Sequence, residues 1–248
     1  MCLIAFAWRA HPEFPFIVAA NRDEFHDRPT EEAGWWPDKP DLLAGRDLQA
    51  GGSWLAVSKS CRFAAVTNYR EQYFARVEHK SRGELVTRFM SSNQGPAQFS
   101  RDTDGDDYGG FNLLTADRSS ITYLSNRGEM QTDLGPGIYG LSNASLDTPW
   151  SKLLRSKKRL TELIDADDVS ETTLMAILED RETAIEDVDS EHLAIDLAQA
   201  VTAPFIVSET YGTRSSTVML CHASGSTEFI EQRYDASGNV TGRSRFSF

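Results

Sequence analysis

The sequence predicts an α+β chain in which helices cover antiparallel sheets. Three observations carry that expectation: strand-sized apolar runs outnumber helical ones, short turn signals separate successive runs, and helical periodicity is confined to segments lying between the strand sets.

Leu3–Trp8 and Phe14–Ala20 flank the turn Ala10-His11-Pro12-Glu13, and Trp54–Val57 and Phe63–Thr67 flank Ser58-Lys59-Ser60-Cys61. Both read as hairpins. A second strand set is Phe111–Ala116, Ser120–Ser125 and Ile138–Ser142, with a turn at Asn126-Arg127-Gly128. The last set is Ser215–Cys221, Thr227–Tyr234 and Val240–Phe248, joined through Ala223-Ser224-Gly225 and Ala236-Ser237-Gly238-Asn239. Helices are expected at Ser81–Met90, Trp150–Ile164 and Ser170–Glu179. The middle one has the clearest pattern, with Trp150, Leu153, Leu154, Leu160, Leu163 and Ile164 at helical spacing and Thr148-Pro149 at its start. Lys152, Arg155, Lys157, Lys158 and Arg159 fill much of the rest and read as a solvated face; the alternative is a surface for an anionic lipid or an acyl-coenzyme phosphate. No Gly/Ser/Pro linker and no repeat divides the chain, so one domain over 1–248 is expected.

The 248 residues carry 25 basic and 37 acidic side chains, a formal charge of −12, which excludes a general nucleic-acid binder that must neutralise phosphates. The apolar share of 40% suffices for a sizeable core. No apolar run approaches the roughly 18 residues of a membrane span, and the N-terminus lacks the basic region and cleavage site of a secretory signal, so a cytoplasmic protein is expected. Cys2, Cys61 and Cys221 stand at wide spacing with no C-x-x-C pair, which suggests neither a disulfide framework nor a metal site; no cofactor is called for.

Position 2 gives one of those cysteines a special chemistry. Once Met1 is removed, Cys2 carries a thiol and a free α-amine in one residue, and an amine of pKa roughly 7.7–8.0 can take the thiol proton directly or through a water. The other reading is a small apolar residue opening a buried strand. Polar clusters stand at predicted strand ends: Asn21-Arg22-Asp23-Glu24-Phe25, Thr67-Asn68-Tyr69-Arg70, Gly140-Leu141-Ser142-Asn143 and Tyr211-Gly212-Thr213-Arg214-Ser215. Such residues supply oxyanion donors and orienting charges, and they also end strands for turn reasons.

Together with Met1-Cys2-Leu3-Ile4, Trp35-Trp36, Leu43-Ala44-Gly45-Arg46-Asp47 and Gly51-Gly52-Ser53-Trp54-Leu55, these stretches resemble, in order from residue 1 to about 221, the NRDE protein family. That family includes the transport and Golgi organization protein 2 homologues. The resemblance implies a four-layer αββα N-terminal-nucleophile hydrolase-like sandwich of antiparallel sheets, distantly similar to choloylglycine hydrolases and penicillin V acylases. Those enzymes cleave amides with an N-terminal Cys. Carried over, Cys2 matches the nucleophile, Asn68 the oxyanion donor, Asn143 the second Asn and Arg214 the late arginine. The early Arg-x-x-Asp-Phe motif departs here: Asn21 stands in the Arg place and Glu24 in the Asp place, with Arg22 and Asp23 beside them.

Two functions follow from the resemblance. One is a Cys-dependent amidohydrolase acting on a linear, non-peptide C–N bond of a small molecule, with Asn21, Arg22, Asp23, Glu24 and Trp54 as substrate-binding or structural residues. The other is a non-catalytic protein that binds or moves a lipid, acyl-CoA or haem. Partners are then a small-molecule ligand or substrate, no nucleic acid, and a homodimer that free sheet edges allow.

Overall fold

The computed structural model describes residues 2–70, 80–128, 131–189 and 193–248. In chain order the strands are β1 (Cys2–Trp8), β2 (Phe16–Phe25), β3 (Thr30–Trp36), β4 (Lys39–Asp47), β5 (Leu55–Ser58), β6 (Phe63–Asn68), β7 (Phe111–Ala116), β8 (Ile121–Ser125), β9 (Gln131–Asp133), β10 (Gly137–Leu141), β11 (Tyr211–Cys221), β12 (Thr227–Tyr234) and β13 (Val240–Ser247). The helices are α1 (Gly83–Ser91), α2 (Pro96–Arg101), α3 (Ser151–Asp165), α4 (Glu171–Leu178) and α5 (Ile195–Ala200). The chain forms two compact units, one built from residues up to Asp27 with Pro136–Ser142 and Leu146–Phe248, the other from Arg28–Gly135 with Asn143–Ser145.

The first unit holds a six-stranded antiparallel sheet in the order β10-β1-β2-β11-β12-β13. Its first hairpin is the expected one, with Trp8 opposite Phe16. The turn is tied down by His11, whose Nδ1 accepts the backbone N–H groups of Glu13 and Phe14 and whose Nε2 meets Asp167 at 3.0 Å. Strand alternation sends Leu3, Ala5, Ala7, Ile17, Ala19, Val218, Leu220 and Ile230 to one face, where they pack on Leu153, Leu160, Leu174, Ile177 and Leu178 of α3 and α4. Ser170 caps α4: its hydroxyl accepts the Thr173 N–H while Thr173 Oγ1 accepts the Ser170 N–H.

The second unit holds a seven-stranded antiparallel sheet ordered β3 through β9, with Leu85, Val86 and Phe89 of α1 and Phe99 of α2 packed on Ala44, Ala56, Ala64 and Leu113. The turn at Ser58–Cys61 has Cys61 in the left-handed region, φ 61°.

β3 and β4 were not expected from the sequence, and β2 runs through Phe25, beyond the expected end at Ala20. Lys152 also differs from the solvated face expected of it. It is buried, with Nζ donating to the Val201 carbonyl at 2.9 Å. Among the described residues no helix is long and apolar enough to cross a membrane.

Candidate functional site

β1 opens on Cys2. The register sets Cys2 opposite Arg22 on β2, and Arg22 opposite Ser215 on β11. Directly opposed residues of antiparallel neighbours share a face, so Cys2, Arg22 and Ser215 form one row on the face away from Leu3 and α3. Arg22 and Ser215 are buried, and Ser215 Oγ has no hydrogen-bond partner among the described residues. Cys2 keeps partial exposure. Burial nevertheless pushes its thiol above the ordinary range and the Asp23 carboxylate adds to that, while a hydrogen bond from the Asp23 backbone and the Arg22 charge act the other way.

Asn21 and Asp23 alternate to the opposite face from Arg22. Asn21 is fully engaged: Nδ2 donates to the carbonyls of Leu178 and Pro204, both at 2.8 Å, and Oδ1 accepts the Ser216 hydroxyl at 2.6 Å. The Asp23 carboxylate accepts the Thr213 hydroxyl at 2.7 Å, and the Tyr211 hydroxyl holds the Asp23 carbonyl at 2.8 Å. Burial raises the Asp23 carboxyl above the usual carboxylate range, against the pull of the Lys152 charge, the Thr213 hydrogen bond and Arg22. Glu24 turns back on its own chain, its Oε1 accepting the Phe25 N–H at 2.9 Å. Arg214 sits where the β2/β11 register shifts between Thr213 and Ser215, and its Nη1 donates to the Phe25 carbonyl at 2.7 Å.

Asn68, Asn143 and Trp54 belong to the second unit. Asn68 ends β6 with an exposed side chain; Arg82 Nη1 donates to its Oδ1 at 2.6 Å, which orients the carboxamide. Among the described residues its Nδ2 has no partner, so the nitrogen is the donor left for another group. Asn143 is buried beside it: Nδ2 donates to the Asn68 carbonyl at 2.7 Å, and its own carbonyl accepts the Arg70 N–H at 2.7 Å. The Trp54 ring lies on Gly45, where an added Cβ would stand 2.3 Å from it. Gly52 packs on the Gly83 backbone, 2.5 Å from a hypothetical Cβ, so the paired glycines serve this close approach.

The structure therefore gathers Cys2, Asn21, Arg22 and Asp23 at one end of β1 and β2, and joins Asn68 to Asn143 in the other unit. Sequence reasoning missed Thr213 and Ser215 as individual partners, although both lie in a stretch it singled out. It also missed Lys152, whose position between Trp150 and Leu153 was the available signal. Among the described residues no group of three or more His, Cys, Asp or Glu side chains is placed to hold a metal ion.

A family model described as Transport and Golgi organisation 2 matches residues 1–236. The Transport and Golgi organization 2 homolog of Mus musculus is 35% identical over 257 residues, spanning 94% of this chain and 92% of its own. The Drosophila melanogaster Transport and Golgi organization protein 2 is 24% identical over 260 residues, with the same coverages of 94% and 92%. Among solved structures, the C2A mutant of conjugated bile acid hydrolase from Clostridium perfringens aligns with a TM-score of 0.56 at 8% identity, covering 100% of this chain and 92% of that one. At that identity the likeness speaks to fold, and the fold is the N-terminal-nucleophile hydrolase type with two large antiparallel sheets.

Proposed function

Because the chain belongs to the Transport and Golgi organisation 2 family and has an N-terminal-nucleophile hydrolase fold, we propose that it is a Cys2-dependent amidohydrolase of a small, linear amide. The observation that supports this most is the surroundings of Cys2. It opens the strand next to the sheet's edge strand, with the Asp23 backbone bonded to its sulfur and Arg22 and Ser215 in its row. The solved neighbour is named for hydrolysis of a conjugate and for substitution of its own Cys at position 2.

In this reading Met1 is removed and the α-amine of Cys2 takes the thiol proton as sulfur attacks the amide carbon. The tetrahedral intermediate collapses, the leaving amine carries off the proton, and water hydrolyses the thioester to release the acid and restore the thiol. The Asp23 carboxylate stabilises the ammonium form of the α-amine by its charge rather than by direct contact. Arg22 or Arg214 orients the substrate, and Asn68 and Asn143 keep the roles the resemblance assigns. We place the protein in the cytoplasm.

Intact-mass analysis tests the premise, because a chain that retains Met1 in every molecule has no free α-amine on Cys2. Iodoacetamide labelling tests the activation: Cys2 should label well ahead of Cys61 and Cys221, which are buried. Equal labelling of the three sinks the proposal. A panel of N-acyl amides followed by mass spectrometry then identifies the substrate.

One observation favours the second reading, a binding protein for a lipid, acyl-CoA or haem. Burial holds the thiol in its neutral, unreactive form unless a base is supplied, so an unprocessed chain has no activated nucleophile. A ligand that copurifies with the protein and is returned chemically unchanged supports that reading.

A further inference from the structure

The carbonyl of the first strand residue is held by a hydroxyl that no ladder pattern requires. β1 pairs with β10 from Trp8 opposite Gly137 up to Ile4 opposite Leu141, and there the ladder ends. Two residues further toward the N-terminus, Cys2 has lost that partner strand. Chain termini fray unless something ties them down. At this point Ser142 Oγ, fully buried just beyond the end of β10, donates to the Cys2 carbonyl oxygen at 2.7 Å. The side chain replaces the missing rung.

The side on which this happens matters. In an antiparallel strand the N–H and C=O of one residue point toward the same neighbour. A Cys2 carbonyl turned to Ser142 therefore turns the Cys2 nitrogen to that side too, while the thiol stands in the row with Arg22 and Ser215. We propose that Ser142 is a positioning residue for the N-terminal nucleophile: by fixing the Cys2 carbonyl it fixes the torsion about the Cα–C bond, and with it where the thiol and the α-amine, both carried on Cα, stand against Arg22 and Ser215. This rests on the reading of Cys2 as an N-terminal nucleophile. A rotation about the Cys2 Cα–C bond, which Ser142 restrains, would carry the amine and the thiol together out of the row with Arg22 and Ser215. Ser142 touches no reacting atom and acts through the backbone.

The test uses the full chain with Met1 removal verified by mass, as wild type, Ser142→Ala and Ser142→Thr. The rate of Cys2 alkylation by iodoacetamide is followed from pH 5 to 10, with Cys61 and Cys221 as internal references. The expected result is a wild-type Cys2 rate with a limb that follows the α-amine. In Ser142→Ala that rate falls by about five- to tenfold near pH 7.5 and its limb moves toward that of an ordinary thiol; Ser142→Thr, which keeps the hydroxyl, restores the wild-type profile. A folded Ser142→Ala protein with the wild-type rate and profile overturns the proposal while leaving the nucleophile reading intact. A wild type whose Cys2 reacts no faster than Cys61 and Cys221 refutes the nucleophile reading, and this inference with it. If the Ala variant does not fold, Ser142→Val, which matches the Thr variant in shape and lacks the hydroxyl, takes its place: a rate and profile like those of Ser142→Thr overturn the proposal, and a slowed rate supports it.

Discussion

Replacing Asn21 with Ala tests whether the first residue of the Asn-Arg-Asp-Glu stretch is structural. Its amide makes three buried bonds, two donated to the carbonyls of Leu178 and Pro204 and one accepted from Ser216. Leu178 is the last residue of α4, where helix carbonyls have no intrahelical donor, so Asn21 caps that end from the sheet. Ser216 keeps a second bond, from the Tyr234 hydroxyl at 3.1 Å. At a net value of about 1 kcal/mol per bond the loss is about 3 kcal/mol. For a chain of this size, roughly 2–4 °C per kcal/mol gives a fall in Tm of about 6–12 °C. Asn21→Asp separates hydrogen bonding from packing. It keeps the acceptor for Ser216 but turns a carboxylate oxygen toward two carbonyls, so at pH 7 it should melt below the Ala variant, with the gap narrowing in acid as the carboxyl becomes a donor. Calorimetry of the three proteins is the assay. A Tm for Asn21→Ala within about 2 °C of wild type, or an Asp variant more stable than the Ala variant at pH 7, refutes the cap.

Asp23→Asn should raise Tm at pH 7.5. The folded carboxyl has the higher pKa, so from about pH 4 upward the folded chain binds more protons than the unfolded one and stability falls as pH rises to the folded value. The Asn variant keeps an acceptor for Thr213 and loses that slope; an unchanged Tm against pH profile would falsify the assignment. Lys152→Met strips the donor from the Val201 carbonyl and a cation from the surroundings of Asp23, and should cost about 1–3 kcal/mol by denaturant melting. Combined with Asp23→Asn, it should deviate from additivity by at least about 0.5 kcal/mol; strict additivity rules out the electrostatic link. Asn68→Ala should cut amide turnover on the order of 10²–10³-fold without shifting Tm, since its side chain is exposed and among the described residues bonds only to Arg82. Unchanged turnover removes Asn68 from the mechanism.

The parts of the fold that were legible are those where burial writes a period into the sequence. β1, the first half of β2, β5 to β8, β11 and β12 carry buried apolar positions bounded by turn residues, and α3 carries a helical stripe. β3 was hidden because it is an edge strand: Thr30, Glu31 and Glu32 are largely exposed, and Gly34 interrupts the alternation. Of its two tryptophans, Trp36 is buried and donates to the Ala44 carbonyl at 3.0 Å. Lys152 was misread for a related reason. On a helix with many cations, composition does not say which one turns inward; the apolar neighbours Trp150 and Leu153 do.

The candidate site was legible as a set of stretches and illegible as a geometry, and the Asn-Arg-Asp-Glu stretch shows why. Asn, Asp and Glu are poor strand formers, so the run reads as the end of a strand. It stays in β2 because each polar group finds a fixed partner: carbonyls for Asn21, Thr213 for Asp23, the Phe25 N–H for Glu24. Once the run is a strand, its period of two divides the labour. Asn21 and Asp23 face the α3–α4 side, where one anchors a helix end and the other keeps a carboxylate away from water. Arg22, between them, faces the other way and shares a row with Cys2 and Ser215. A one-residue slip of β2 against β1 would exchange these roles and put Arg22 under the helices. Register, held by Ile4, Phe6 and Trp8 on one face and Leu3, Ala5 and Ala7 on the other, thus decides which of four consecutive polar residues stands beside the thiol.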